Sequence, residues 1–201
     1  MENYFKIILE TYKVRYNKIL TSYYPSHGST GFTERNMSVN FAHSVELISN
    51  DTIVWYEAPF GSRNREHFDA VIFDKTTKSI FIIESKRFTV PKQKLYSIGE
   101  DIKRIVNKSN IRKVTANYND ITSNSYNVYG VILADVWTEN PIKTEIFNNW
   151  GSSFTETYAS DLNLDSEIAM LISNALWDKF EFNISETLKK YKLLTLIFKI
   201  S

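Results

Sequence analysis

The chain has 201 residues, 43% of them hydrophobic, with 24 Lys and Arg against 23 Asp and Glu, a formal net charge of +1 and no cysteine. This size and composition predict one globular domain over 1–201 with an ordinary core, and exclude repeat arrays, heptad arrays and low-complexity chains. Without cysteine there is no thiolate zinc cluster, without an 18-residue apolar run or signal sequence a soluble, cytoplasmic protein and no membrane partner are expected, and +1 is not the charge of a generic nucleic-acid coat.

Phe5, Ile8, Leu9, Tyr12, Tyr16, Ile19, Leu20 and Tyr23 recur at helical spacing and predict an amphipathic first helix over 4–23. The Pro25 to Gly31 stretch ends it. A second helix is expected from Thr33, an N-cap residue type, with Phe32 and Met37 placed as a hydrophobic staple. At about 100° per residue, Met37, Phe41, Val45 and Ile48 form its apolar stripe; Glu34 falls inside that stripe and Glu46 outside it. Ile53 to Phe60 reads as a strand.

Residues 67–86, HFDAVIFDKTTKSIFIIESK, read as a β-hairpin: two runs rich in Val, Ile and Phe around the short polar turn Lys75-Thr76-Thr77-Lys78. Centring the turn between Thr76 and Thr77 pairs Ala70 with Ile83, Val71 with Ile82, Ile72 with Phe81 and Phe73 with Ile80. Extended outward, the same register sets Asp69 opposite Glu84 and His67 opposite Lys86, all four on one face because side chains alternate along a strand. Both faces are apolar, which predicts a hairpin inside a sheet covered on both sides. Opposed β-carbons stand about 4.5–5.5 Å apart, where two carboxylates repel unless a cation lies between them. Hard oxygen donors with room for water suit Mg²⁺ or Mn²⁺, and Lys86 lies one side-chain step away, within reach of a metal-bound water or a phosphate oxygen. The plainer alternative is an edge ion pair between Glu84 and Lys86, with Asp69 merely starting a strand; the joint arrangement in a buried hairpin favours the metal.

Pro91 marks the start of a third helix carrying Leu95, Ile98, Ile102, Ile105 and Val106, with Gly99 expected to permit close packing on the sheet. The Asn- and Ser-rich stretch from Asn107 to Asn127 reads as a loop or irregular segment. Tyr129 to Trp137 reads as a buried strand reached by a right-handed crossover. The region 138–201 adds a helix over Leu164 to Phe180 and a last strand within Tyr191 to Ile200, and is taken as an elaboration of the same domain. Charge is unevenly spread: residues 86–113 hold nine Lys and Arg against Glu100 and Asp101, whereas residues 145–186 hold eight acidic side chains against Lys179. The basic segment suits phosphates on one side of the molecule, and a solvated helix face is its bland alternative.

Asp69, fourteen residues, then Glu84-Ser85-Lys86 resembles the signature of the PD-(D/E)XK, or restriction-endonuclease-like, nuclease superfamily, with Phe68 standing where the signature has proline. Helix, three-stranded meander, helix, strand is also the order of that superfamily's core. The resemblance implies an α/β fold with a mixed central sheet, a three-stranded antiparallel meander plus a crossover strand, and helices on both faces. It implies Mg²⁺ (or Mn²⁺) held by Asp69, Glu84 and the Ser85 carbonyl, with Lys86 orienting the attacking water. Glu34 matches the helix glutamate that many members carry beside the metal, although acidic residues are favoured in any first helical turn. His67, Glu57, Gln93 and Lys94 are further candidates; His67 reads equally as a half-exposed strand histidine. No G-x-S-x-G elbow supports nucleophilic serine chemistry. The expectation is a metal-dependent nuclease acting on DNA, with RNA left open and a homodimer admitted because many such nucleases pair to cut both strands. The alternatives are a nucleic-acid-binding or regulatory protein that keeps the scaffold without turnover, and a small interaction protein whose hairpin charges are structural.

Overall fold

A computed structural model describes residues 1–22, 34–61, 66–116, 118, 126–137, 141–182 and 191–201. Helix α1 (Glu2–Ser22) buries Phe5, Ile8, Leu9, Tyr12, Tyr16 and Leu20, the apolar face its spacing predicts. Helix α2 (Glu34–Glu46) buries Met37, Phe41 and Val45, and Ile48 packs on the same core beyond its end. Thr33, Phe32 and the 25–31 stretch lie outside the described residues.

Strands β1 (Thr52–Pro59), β2 (His67–Asp74) and β3 (Ser79–Arg87) form an antiparallel meander. The β2–β3 register is Ala70↔Ile83, Val71↔Ile82, Ile72↔Phe81 and Phe73↔Ile80, as the turn centred on Thr76 and Thr77 requires. Helix α3 (Pro91–Val106) has Pro91 in its first turn, where the missing N–H costs nothing, and buries Leu95, Ile98, Ile102 and Ile105. It leads toward β4 (Asn127–Trp137), which runs parallel to β3. Strands β5 (Leu176–Phe182) and β6 (Tyr191–Lys199) complete a six-stranded sheet of order β1-β2-β3-β4-β6-β5, antiparallel except between β3 and β4. The region beyond residue 138 thus adds two strands to the sheet that holds the hairpin.

The sheet is covered on both faces. Val71, Phe73, Ile80, Ile82 and Ile132 pack with α3 and with Ile146, Phe154 and Leu162. These last come from the short helices α5 (Pro141–Asn149), α6 (Phe154–Thr157) and α7 (Ala159–Leu162). Ala70, Ile72, Phe81, Ile83, Val131 and Leu133 pack with α1 and α2 on the other side. No described helix is long and apolar enough to cross a membrane.

Three expectations are corrected. The segment after Asn107 is not irregular at its start: α4 (Lys108–Thr115) is helical, capped by the Asn107 side chain accepting from Ser109 N at 2.9 Å and Asn110 N at 3.4 Å. Only Val114 of α4 is buried, so it has no apolar stripe to betray it. The single helix expected over 164–180 is instead α8 (Ser166–Ser173) followed by β5, whose Phe180 and Phe182 are buried at strand spacing. Gly99 permits close packing on α7 rather than on the sheet: a β-carbon there would overlap the Leu162 carbonyl oxygen.

The closed end of the hairpin is tied down by Asp74. Its carboxylate accepts from Ser49 Oγ and Tyr4 OH at 2.6 Å each, from Thr77 Oγ at 2.5 Å and from Thr76 N at 3.0 Å. One side chain therefore joins α1, the segment after α2 and the turn.

Candidate functional site

At the open end of the hairpin the alternation of faces breaks. Ala70 and Ile72 face α1 and α2, while Val71 and Phe73 face α3, yet Phe68 also packs on the α3 side. On β1, Tyr56 pairs with Ala70 and Ala58 with Phe68, which sets Glu57 across from Asp69. Glu57 has φ 54°, a left-handed conformation that costs a non-glycine residue on the order of 1–3 kcal/mol. Asp69 reaches into the gap between β2 and β3, whose pairing ends at Ala70↔Ile83.

Carboxylates fill that gap. The Ser85 N–H donates to Asp69 Oδ2 at 2.7 Å, and the Arg87 N–H, two residues on, donates to Glu34 Oε1 at 2.7 Å. Lys94 in the first turn of α3 holds its Nζ 3.4 Å from the same Glu34 oxygen. Asp69, Glu34 and Glu57 line one cleft of about 410 Å³ together with Arg35 and Arg87. Beyond the cleft, the Arg87 guanidinium grips the fully buried Asp135 with Nε at 3.0 and 3.1 Å from its two oxygens and Nη2 at 2.8 Å. That pair clamps the C-terminal ends of the parallel strands β3 and β4, the end of an α/β sheet at which ligand crevices form.

Glu84 and Lys86 continue the alternation of Ile80 and Ile82 and point toward α3. Lys86 Nζ lies 2.9 Å from Asp101 Oδ2, off the hydrogen-bond direction. Arg104 contacts the other Asp101 oxygen and stands 3.4 Å from Glu84 Oε1, an ionic contact without hydrogen-bond geometry. Glu84 and Asp101 are each only 2% exposed. Burial, and next the charge of Asp69, pushes the Glu84 carboxyl up to about 8, with Arg104 and Lys86 opposing. Burial also raises Asp69, against the Ser85 N–H and the Lys86 charge. Asp135 is raised by burial despite Arg87.

The expectation of a single face for His67, Asp69, Glu84 and Lys86 is therefore corrected. Only Glu84 and Lys86 face α3; Asp69 lies in the strand gap, held by the Ser85 N–H, and lines the cleft with Glu34. His67 Nε2 pairs with Glu57 Oε2 at 3.1 Å rather than sitting opposite Lys86. Glu46 pairs with His43 at 3.0 Å, away from this cluster. Asp69 and Glu84 remain electrostatic neighbours, and Lys86 acts on both. Asp101 and Arg104 escaped the sequence reading, although Asp101 stands three residues after Ile98 and four before Ile105, on the buried stripe of α3, where an unpartnered carboxylate is not expected.

The donor set fits a hard divalent cation in kind. Asp69 and Glu84 offer oxygen only, their charges oppose each other, and Glu84 Oε1 is buried without a hydrogen bond. Among the described residues, no three or more His, Cys, Asp or Glu side chains form a ready cage.

No family model, curated protein or solved structure matches this chain. The chemistry available to the site is what these side chains supply.

Proposed function

We propose that the chain is a metal-dependent nuclease that hydrolyses phosphodiester bonds in DNA, on a restriction-endonuclease-like core. What supports this reading is that Glu84 Oε1 is buried without a hydrogen bond while the charge of Asp69 opposes its ionisation, with Lys86 on the Glu84 side and its Nζ 2.9 Å from Asp101. Two carboxylates that hinder each other's ionisation become compatible once a cation stands between them. Asp69, Glu84 and the Ser85 carbonyl would hold Mg²⁺ or Mn²⁺, which when bound lowers the pKa of coordinated water and offsets phosphate charge.

The protein's own groups account for the rest. Lys86, anchored on Asp101, offers its ammonium to the phosphoryl oxygens as negative charge builds on them. In that step a water oxygen bonds to phosphorus and the bond from phosphorus to the leaving sugar oxygen breaks. Glu34 keeps Oε2 outside its contacts with Arg87 and Lys94, so it can accept the proton the water loses, while the leaving oxygen takes one from solvent.

The test is to incubate supercoiled plasmid, linear duplex and single strands with the purified protein and Mg²⁺ or Mn²⁺. Cleavage is expected, abolished by Lys86→Ala with an unchanged circular-dichroism spectrum. Wild-type protein inert on every substrate with both metals overturns the proposal. A second reading, a nucleic-acid-binding or regulatory protein without turnover, is favoured by the internal pairing of Lys86 with Asp101 and of Arg104 with Glu84. Salt-dependent DNA binding with no cleavage would select it.

A further inference from the structure

The charges beneath α3 are gathered closely and matched poorly. A single nitrogen, Arg104 Nη2, touches both Asp101 of its own helix and Glu84 of β3, so it stands where the two carboxylates converge. The match is incomplete on every side: Glu84 Oε1, Asp101 Oδ2 and Arg104 Nε are each buried without a hydrogen-bond partner. Buried polar atoms are nearly always partnered, and three such atoms around one guanidinium mark a place that an ion of another shape fits better. The charge count gives that ion its valence. Asp69, Glu84 and Asp101 carry three negative charges against Lys86 and Arg104, while Glu34, the other acid acting on Glu84, is matched by Lys94. With Arg104 withdrawn to solvent, a dication beside Lys86 brings the three carboxylates to neutrality, whereas a monovalent ion leaves one charge unmatched.

Arg104 is also the member of this set that is free to leave. Its side chain is 41% exposed, against 18% for Lys86, 3% for Glu84 and 2% for Asp101. It springs from the last turn of α3, and its long stem lets the guanidinium rotate into water without movement of the helix. We propose that Arg104 is a displaceable counter-ion of the metal site: it bridges Glu84 and Asp101 until a divalent cation takes Glu84, and then swings out to solvent. The site is thereby self-blocking at low Mg²⁺, because the cation competes with a charge tethered beside the carboxylate at high effective concentration. This inference rests on the metal-binding part of the reading above and concerns when the site opens, not what it cleaves. The internal pairing of Arg104 with Glu84 becomes its resting state.

The test is calorimetric titration of Mg²⁺ into protein stripped with EDTA and dialysed, at pH 9, above the Glu84 value of about 8, so that protons do not hold the site. Arg104→Gln is expected to tighten binding by about fivefold or more, the lower end of coupling between linked ligands. Arg104→Lys keeps the charge and should stay near the wild type. Lys103→Gln removes a positive charge from the same turn, where it pairs with Glu100, and should change the affinity by no more than about twofold. Because Arg104→Gln strips a partner from two buried carboxylates, the wild type supplies a readout that needs no variant. Modification of Arg104 by phenylglyoxal, followed by peptide mass mapping, should be faster in Mg²⁺ than in EDTA. Equal or weaker Mg²⁺ binding by a folded Arg104→Gln, or modification no faster in Mg²⁺, would overturn the displacement and leave the metal site standing. Failure of every one of these proteins to bind Mg²⁺ or Mn²⁺ would remove the metal reading and the counter-ion with it. Affinity that follows the charge of residue 104 while no DNA is cleaved would sink the nuclease reading and leave the counter-ion in place.

Discussion

The two ends of the β2–β3 hairpin each bury a carboxylate, and the two behave in opposite ways. At the closed end, Asp74 is lodged among the hydroxyls of Tyr4, Ser49 and Thr77 and the amides of Thr76 and Thr77. Burial pushes Asp74 up, but those donors outweigh it and hold the carboxyl below its ordinary range. At the open end Glu84 is equally hidden, finds no hydrogen-bond donor for Oε1, and is pushed up to about 8. Burial alone therefore does not decide what a carboxylate does; the supply of donors does. A saturated group serves the fold, and an unsaturated one retains coordination capacity.

The largest effect should come from emptying the saturated end. Asp74→Ala leaves hydroxyl donors buried without an acceptor and should cost about 3–5 kcal/mol in urea unfolding at pH 7. Because its folded pKa is lowered, the contribution of Asp74 holds above about pH 4 and fades as pH falls through the folded value. A loss under 1 kcal/mol would erase the contrast between the two ends.

Glu84→Gln should act in the opposite direction. The unfolded side chain ionises near 4.5 while the folded one keeps its proton to about 8. The stability contributed below pH 4.5 is therefore lost as pH rises toward 8, and a glutamine has no such slope. In metal-free buffer the variant should match the wild type at pH 4 and exceed it by about 1–3 kcal/mol at pH 9. Equal stabilities at pH 9 would contradict the assigned burial of charge.

Adding Mg²⁺ at pH 8, at about five times its dissociation constant, should stabilise the wild type by about 1 kcal/mol and leave Glu84→Gln and Asp69→Asn unmoved. Differential scanning fluorimetry reads this directly, and identical shifts in all three proteins would place the ion elsewhere. The smallest change is expected of His67→Ala, which breaks the half-exposed pair with Glu57 and should alter stability by no more than about 0.5 kcal/mol. A larger loss would mean that His67 supports the kinked backbone at Glu57.

The hairpin was legible because apolar residues on both its faces leave one register that keeps them all inside, and α3 because Leu95, Ile98, Ile102 and Ile105 recur at helical spacing. Other features depend on contacts between distant residues. The spacing of Trp177, Phe180 and Phe182 permits more than one conformation until β6 supplies their partners. The placement of Asp69 depends on an amide of β3, and the left-handed residue on the strand beside it is nothing that the identity of Glu57 announces. Arg87 and Asp135 are 48 residues apart, so their clamp is invisible without the parallel pairing that brings them together. The spacing of Asp69, Glu84, Lys86 and Glu34 made them candidates, whereas the division of these side chains between the cleft and the underside of α3 depends on contacts that no spacing shows.

Strand β6 lies between β4 and β5, with Tyr191 through Phe198 all buried, and it follows both of them among the described residues. During synthesis it emerges from the ribosome after every element it holds together. Until β6 arrives, β4 presents an open edge able to pair with other polypeptides. Chaperone dependence during translation is the cellular counterpart of that strand order.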